Sequence, residues 1–188
     1  MKQTYHINIA GLERDLQLFP ISDTLCIGAF IMFGDVEITK TCARELLRLA
    51  PPHDIMITAE TKGIPLLYEM ARQENAPNYV IARKAPKLYM EDILTTRVHS
   101  ITTADQQTLC IGSCEIKAMK GKRVLIVDDV VSTGESLAAI ETLVNQAGGH
   151  IAGKMAVLAE GKASQRTDLI YLQKLPLFRL DGTAIENE

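Results

Sequence analysis

Apolar residues recur along this chain with two different periods. From Glu37 to Leu49, EITKTCARELLRL, the apolar positions Ile38, Cys42, Leu46 and Leu49 fall on one helical face, and Pro51–Pro52 ends the run. A second helix is predicted from about Ile64 to Gln73, with Pro65 tolerated in its first turn. A third spans Ser136 to Ala147 and stops at Gly148–Gly149. Between the helices stand short apolar runs that read as strands: Ile55–Ala59, Asn78–Ala82, Val124–Val127, Ile151–Leu158 and, last, Lys174–Arg179. Strands alternating with helices imply right-handed crossovers, and so an α/β fold with a mainly parallel twisted sheet flanked by helices.

Two regions depart from that rhythm. Residues 1–35 alternate in short stretches broken by Gly11, Pro20, Gly28 and Gly34, and read as short strands and turns outside the main core. Residues 88–118 alternate over 95–101 and 108–116, with polar Thr102 to Gln107 between them, which predicts a hairpin with a long, mobile connection. No repeat, low-complexity tract or Gly/Ser-rich linker interrupts the chain, so residues 1–188 are expected to form a single domain.

Composition narrows the function classes. The formal net charge of −3 supplies no basic field for nucleic acid. No run of about 18 apolar residues is present to span a membrane. The opening MKQTYHINIA alternates and lacks an apolar signal core, so a cytoplasmic location is expected. The four cysteines, Cys26, Cys42, Cys110 and Cys114, are then expected to be reduced. Cys110 and Cys114 sit four apart, but His99 is the only nearby histidine and no second Cys pair follows, which disfavours a zinc site.

Ligands of parallel α/β sheets bind beyond the carboxyl ends of the strands. Here that rule selects the loops Glu60–Gly63, Arg83–Lys87 and Asp128–Glu135. The richest segment is Val124 to Ser136, VLIVDDVVSTGES. Four apolar β-formers run into two adjacent carboxylates, then into a short polar loop at a helix start. Hydroxyls and backbone N–H groups at such a start can surround a phosphate, and the helix dipole favours its charge. Gly134 lets the backbone come close or take a positive φ. Asp128 and Asp129 can accept hydrogen bonds from a vicinal diol. A sugar phosphate carries both features. The plainer alternative is a strand end followed by a capped helix. A Walker B reading needs a Walker A loop. The nearest match, GGHIAGK from Gly148 to Lys154, is followed by Met155 where Ser or Thr should stand, and it leads from a helix into a strand.

VLIVDDVVSTGES resembles the signature by which type I phosphoribosyltransferases bind 5-phosphoribosyl-1-pyrophosphate (PRPP). Residues 55–68, IMITAETKGIPLLY, resemble the strand and pyrophosphate loop of that family. Residues 80–88, VIARKAPKL, resemble the Arg-Lys-x-x-Lys-Leu stretch of its adenine enzymes and, less closely, the Arg-Lys stretch of its xanthine enzymes. The resemblance implies the type I fold, with residues 1–35 as a small hood over the base and 36–188 as the core. It implies that Asp128 and Asp129 contact the ribose hydroxyls, while Ser132, Thr133, Gly134, Glu135 and Ser136 form the 5-phosphate loop. Glu60, Thr61, Lys62 and Gly63 would form the pyrophosphate loop, which in this family often carries a non-proline cis peptide. Arg83, Lys84 and Lys87 would neutralise pyrophosphate, with magnesium required, its protein ligands unassigned. Asp128, Asp129, Lys62 and Arg83 are the expected catalytic residues, and a homodimer is usual. The implied reaction moves the phosphoribosyl group of PRPP to a purine, adenine favoured, in nucleotide salvage, with the 88–110 hairpin closing over the site. The alternatives are another base, xanthine foremost, or a PRPP-sensing regulator without transfer activity. Two departures stand out. Tyr89–Met90 follows Lys87–Leu88 where adenine enzymes have Pro-Gly, and Thr102–Thr103 stands near where they carry a Glu-Tyr pair, leaving proton handling unassigned.

Overall fold

The computed structural model describes residues 3–98 and 107–185. Strands β1 (Thr4–Ile9), β2 (Leu12–Pro20) and β3 (Cys26–Ala29) open the chain, followed by α1 (Val36–Leu49), β4 (Ile55–Ala59), α2 (Ile64–Gln73) and β5 (Val80–Ala82). A hairpin of β6 (Leu94–Val98) and β7 (Gln107–Ile111) leads into α3 (Ser113–Met119). Then come β8 (Arg123–Val131), α4 (Glu135–Gln146), β9 (His150–Glu160), a 3-10 turn at Gly161–Gln165, β10 (Ile170–Leu175), β11 (Leu177–Phe178) and β12 (Ala184–Ile185). Of the polar connection expected to be mobile, residues 102–106 lie outside the described residues.

The central sheet has the order β10-β9-β8-β4-β5, and every neighbouring pair is parallel. Its inner strands β4 and β8 are buried on both faces, which is why Ile55–Ala59 and Val124–Val127 read as continuous apolar runs. Side chains of β8 divide by parity: Val124 and Ile126 enter one core with Ile140, Leu143 and Val144 of α4. Leu125 and Val127 enter the other with Ile38, Cys42 and Leu46 of α1 and Leu66, Leu67 and Met70 of α2. Asp35 begins α1 by accepting the Ile38 N–H at 3.0 Å. Arg14 of β2 reaches the same carboxylate at 2.8 Å and Glu37 at 2.9 Å, tying the N-terminal strands to the core.

Several elements differ from the sequence reading. Strand β8 continues past Val127 through both acids to Val131, because β9 keeps pairing with it as far as Val131↔Ala159. The stretch 108–116 is not one strand. The Gly112 N–H donates to Glu115 Oε2 at 2.9 Å, starting α3, and Met119 of that helix is fully buried. Leu49 ends α1 exposed, off the buried face assigned to it. Lys174–Arg179 divides at Pro176, which has no N–H to continue a ladder. Beyond it β11 leaves the parallel sheet and pairs with β3, so the antiparallel sheet β1-β2-β3-β11-β12 is drawn from both ends of the chain.

Candidate active site

From β4 the chain moves outward to β5, then returns to place β8 on the other side of β4. The direction of winding therefore reverses between β4 and β8, and a crevice opens there beyond the carboxyl ends of the strands. The loops after β4 and β8 carry Glu60–Gly63 and Ser132–Gly134, and β5, beside β4, delivers Arg83 and Lys84. A cavity of about 450 Å³ occupies this place, lined by Glu60, Thr61, Lys62, Lys84, Asp128, Asp129 and Ser136 together with Phe33 and Leu109.

Asp128 and Asp129 stand where β8 meets the cavity. The Asp129 N–H donates to Asp128 Oδ1 at 2.9 Å. Asp129 is 5% exposed, and its Oδ2 is buried without a hydrogen-bond partner. Burial, then the adjacent Asp129 charge, pushes the Asp128 carboxyl well above the usual range, against the pull of the Lys62 charge. Burial likewise raises Asp129, opposed by Asp128 and Lys62. Two desolvated carboxylates lacking enough donors form an acceptor site that a diol can satisfy.

The two loops beside this pair owe their form to glycine. At Gly63 the backbone is ordinary but the space is taken: a Cβ would overlap the Thr58 hydroxyl and stand 3.3 Å from Asp128 Oδ1. The Glu60–Thr61 peptide is cis, as the resemblance led us to expect. Glu60 Oε2 accepts the Lys84 N–H at 2.9 Å, joining the loops after β4 and β5. At Gly134, φ is +80° and the residue begins α4. Arg166 Nη1 stands 2.8 Å from where a Cβ would be, so a side chain is strained by conformation and would also have to displace the Arg166 guanidinium. Ser132, Thr133, Gly134, Glu135 and Ser136 surround a pocket of about 130 Å³ at this helix start, with Asp128 on its wall. Such a start offers unpaired N–H groups and a positive dipole end to a phosphate. Arg83 and Lys87 do not line these cavities. The Arg83 guanidinium lies 5.9 Å above the Tyr89 ring, and its backbone pairs with Cys110.

A further cavity of about 490 Å³ lies on the other flank of the 132–136 loop, lined by Ser132, Thr133, Glu160, Lys162, Arg166 and Leu177. Apart from the loop residues, these were not singled out in the sequence. Glu160 ends β9, Lys162 and Arg166 lie in and after the 3-10 turn, and Leu177 follows Pro176. Arg166 is held by Asp168 at 2.8 and 3.0 Å, Asp168 by Lys154 at 2.7 Å, and Lys154 by Glu141 of α4 at 2.8 Å. This relay returns to the helix that Gly134 begins.

Among the described residues no group of three or more His, Cys, Asp or Glu forms a metal cage. Magnesium does not demand one, since one or two carboxylates with substrate phosphate oxygens and water complete its shell. The unpartnered Asp129 Oδ2 fits that use.

The phosphoribosyl transferase domain family matches residues 39–176. A hypoxanthine/guanine phosphoribosyltransferase of Methanothermococcus okinawensis is 35% identical over 154 residues, covering 81% of this chain and 76% of that one. A xanthine phosphoribosyltransferase of Stutzerimonas stutzeri is 31% identical over 115 residues, covering 61% of this chain and 59% of that one. Among solved structures, the adenine phosphoribosyltransferase of Thermoanaerobacter pseudethanolicus superimposes with a TM-score of 0.64 at 23% identity, over 76% of this chain and 84% of that one. The corresponding enzyme of Saccharomyces cerevisiae gives 0.66 at 20% identity, over 84% and 93%. With the parallel sheet, its switch point and the glycine-bearing loop at β8–α4, these matches establish that the chain belongs to the phosphoribosyl transferase domain family and is a transferase of the type I fold.

Proposed function

We propose that this chain transfers the phosphoribosyl group of PRPP to a ring nitrogen of a purine, releasing pyrophosphate. The observation that carries the reading is the meeting, at one switch point, of a desolvated acid pair, a phosphate pocket and a loop without room for a side chain. In this reading Asp128 and Asp129 bind the ribose diol. Residues 132–136 take the 5-phosphate, and Glu60–Gly63 with Lys84 take the pyrophosphate. Arg83 and Lys87 act from outside the cavity of the ligand-free chain. Magnesium, when bound, offsets the charge of the leaving pyrophosphate, with Asp129 as its protein ligand. Lys62 adds a positive charge between the acids and the leaving group, and the diol and phosphate contacts hold the anomeric carbon for displacement.

The base would occupy the cavity beyond Ser132 and Thr133, which contains no pyrophosphate-loop residue. Its volume suits a small planar ligand. Lys162 and Arg166 there offer donors to ring oxo groups. The Methanothermococcus and Stutzerimonas relatives, at 35% and 31% identity, are named for hypoxanthine/guanine and xanthine, while the adenine enzymes support the fold alone at 23% and 20%. The favoured substrate is therefore a 6-oxopurine rather than the adenine expected from residues 80–88. Adenine is the second reading, resting on Arg83–Lys84 and Lys87–Leu88. The test is nucleotide formation from hypoxanthine, guanine, xanthine and adenine at matched concentration with PRPP and magnesium. Adenine as the sole substrate would reverse the preference. PRPP binding with no product from any base would favour a sensor.

A further inference from the structure

Glu160 ends β9, next in the sheet to the end of β8, and is 7% exposed on the wall of the cavity beyond the phosphate loop. Ser132 lines the same cavity, and its hydroxyl favours the ionised form of this carboxylate. The Lys62 ammonium, on the loop after β4, acts electrostatically on Glu160 as it does on Asp128 and Asp129. Lys162 and Arg166 line the same cavity from the 3-10 turn and the residue after it, and Asp168 engages Arg166. Among the described residues, no carboxylate other than Glu160 lines that cavity.

Transfer to a neutral purine creates a proton that must leave. As the bond from the anomeric carbon to the pyrophosphate oxygen breaks, its electron pair departs with pyrophosphate. The base nitrogen then supplies the pair for the new bond, and the N–H proton is released. We propose that Glu160 is a catalytic residue that accepts this proton, with Ser132 orienting its carboxylate. The proposal rests on the purine transfer argued above and on the placement of the base beyond Ser132. Burial holds Glu160 above the ordinary carboxylate range, opposed by Ser132 and Lys62. An acceptor shifted toward neutral pH is better matched to proton transfer than an ordinary surface carboxylate. The acceptor form is the ionised one, so turnover should fall as pH drops through the Glu160 pKa.

The test compares wild type with Glu160→Gln and Glu160→Asp as intact chains. The amide keeps an oxygen for Ser132 and nearly the same volume, but it cannot take a proton. The expected results are a loss of about 10²- to 10⁴-fold in kcat for Glu160→Gln, disappearance of the acid limb from its pH profile, and partial return of both in Glu160→Asp. Ribose 5-phosphate affinity, measured by calorimetry, should stay within about twofold, because the phosphate loop is unaltered. Two results would overturn the proposal. One is an unchanged kcat with the acid limb retained. The other is a parallel loss of ribose 5-phosphate binding, which makes Glu160 a brace for the loop. Wild type that binds ribose 5-phosphate yet converts no purine would instead overturn the transferase reading, and this proposal with it.

Discussion

The acid pair predicts opposite effects on function and stability. Replacing Asp128 or Asp129 by Asn keeps size and one acceptor; at Asp128 the amide oxygen can still receive the Asp129 N–H. What disappears is charge and one acceptor for the ribose. A hydrogen bond to a charged group is worth about 1.5–3 kcal/mol. Losing both should weaken PRPP binding by about 3–6 kcal/mol, roughly 10²- to 10⁴-fold at 1.4 kcal/mol per decade. Stability should move the other way. Both carboxyls are raised in the folded chain, chiefly by burial. Between the ordinary aspartate pKa and the raised value the folded state binds more protons than the unfolded, so stability falls as pH rises through that window. At pH 7, above the ordinary aspartate pKa, the desolvated pair is a cost that Asn lacks. The ligand-free variants should therefore melt higher at pH 7, by about 2–4 °C for each 1 kcal/mol gained. The advantage should vanish below about pH 4, where the carboxyls are protonated in both states. Calorimetry with PRPP and thermal melts across pH measure the two effects. Unchanged PRPP affinity together with a lower melting temperature at pH 7 would refute the reasoning.

Other positions can be tested as directly. Gly63→Ala must displace the Thr58 hydroxyl, so it should cost about 1–3 kcal/mol of stability and weaken pyrophosphate binding more than ribose 5-phosphate binding. Adding Thr58→Ala should restore part of both, measured by melts and calorimetry. Cys114 is exposed while Cys26, Cys42 and Cys110 are buried, and burial pushes the Cys42 thiol up to about 12. A thiol reagent should therefore label Cys114 alone quickly in the native chain, with all four cysteines reacting in denaturant. The Arg72 guanidinium beside Glu69 lowers its carboxyl to about 2, and Arg166 with Lys154 lowers Asp168 to about 2. Their stabilisation is complete above the ordinary carboxylate pKa and is lost as pH falls toward about 2. Glu69→Gln should therefore flatten the fall in melting temperature over that range.

What the sequence determined by itself was whatever its local pattern could hold. The strand–loop–helix at Val124–Ser136 is contiguous, so the acids, the hydroxyls and Gly134 were legible together, and the parity of β8 follows from a period of two. The alternation of strands and helices likewise specified a parallel α/β sheet. Tertiary structure decided what depends on distant segments meeting. Pro176 marked a break, but only pairing with β3 sent β11 into the other sheet. Alternation through 108–116 suggested one strand, yet the Gly112–Glu115 contact and burial of Met119 turned its second half into α3. The need for glycine at 63 came from Thr58 and Asp128, and part of that at 134 from Arg166, contacts with no local signal. Arg83 and Lys87 were legible as a basic cluster after a strand, but the fold sets them outside the cavities, Arg83 against Tyr89. Glu160, Lys162, Arg166 and Leu177 line one cavity only because β9, the turn after it and β11 converge beside the phosphate loop. A phosphate needs a few consecutive backbone groups and can be read from one stretch of chain. A buried planar base needs walls on several sides, and only a folded chain brings those together.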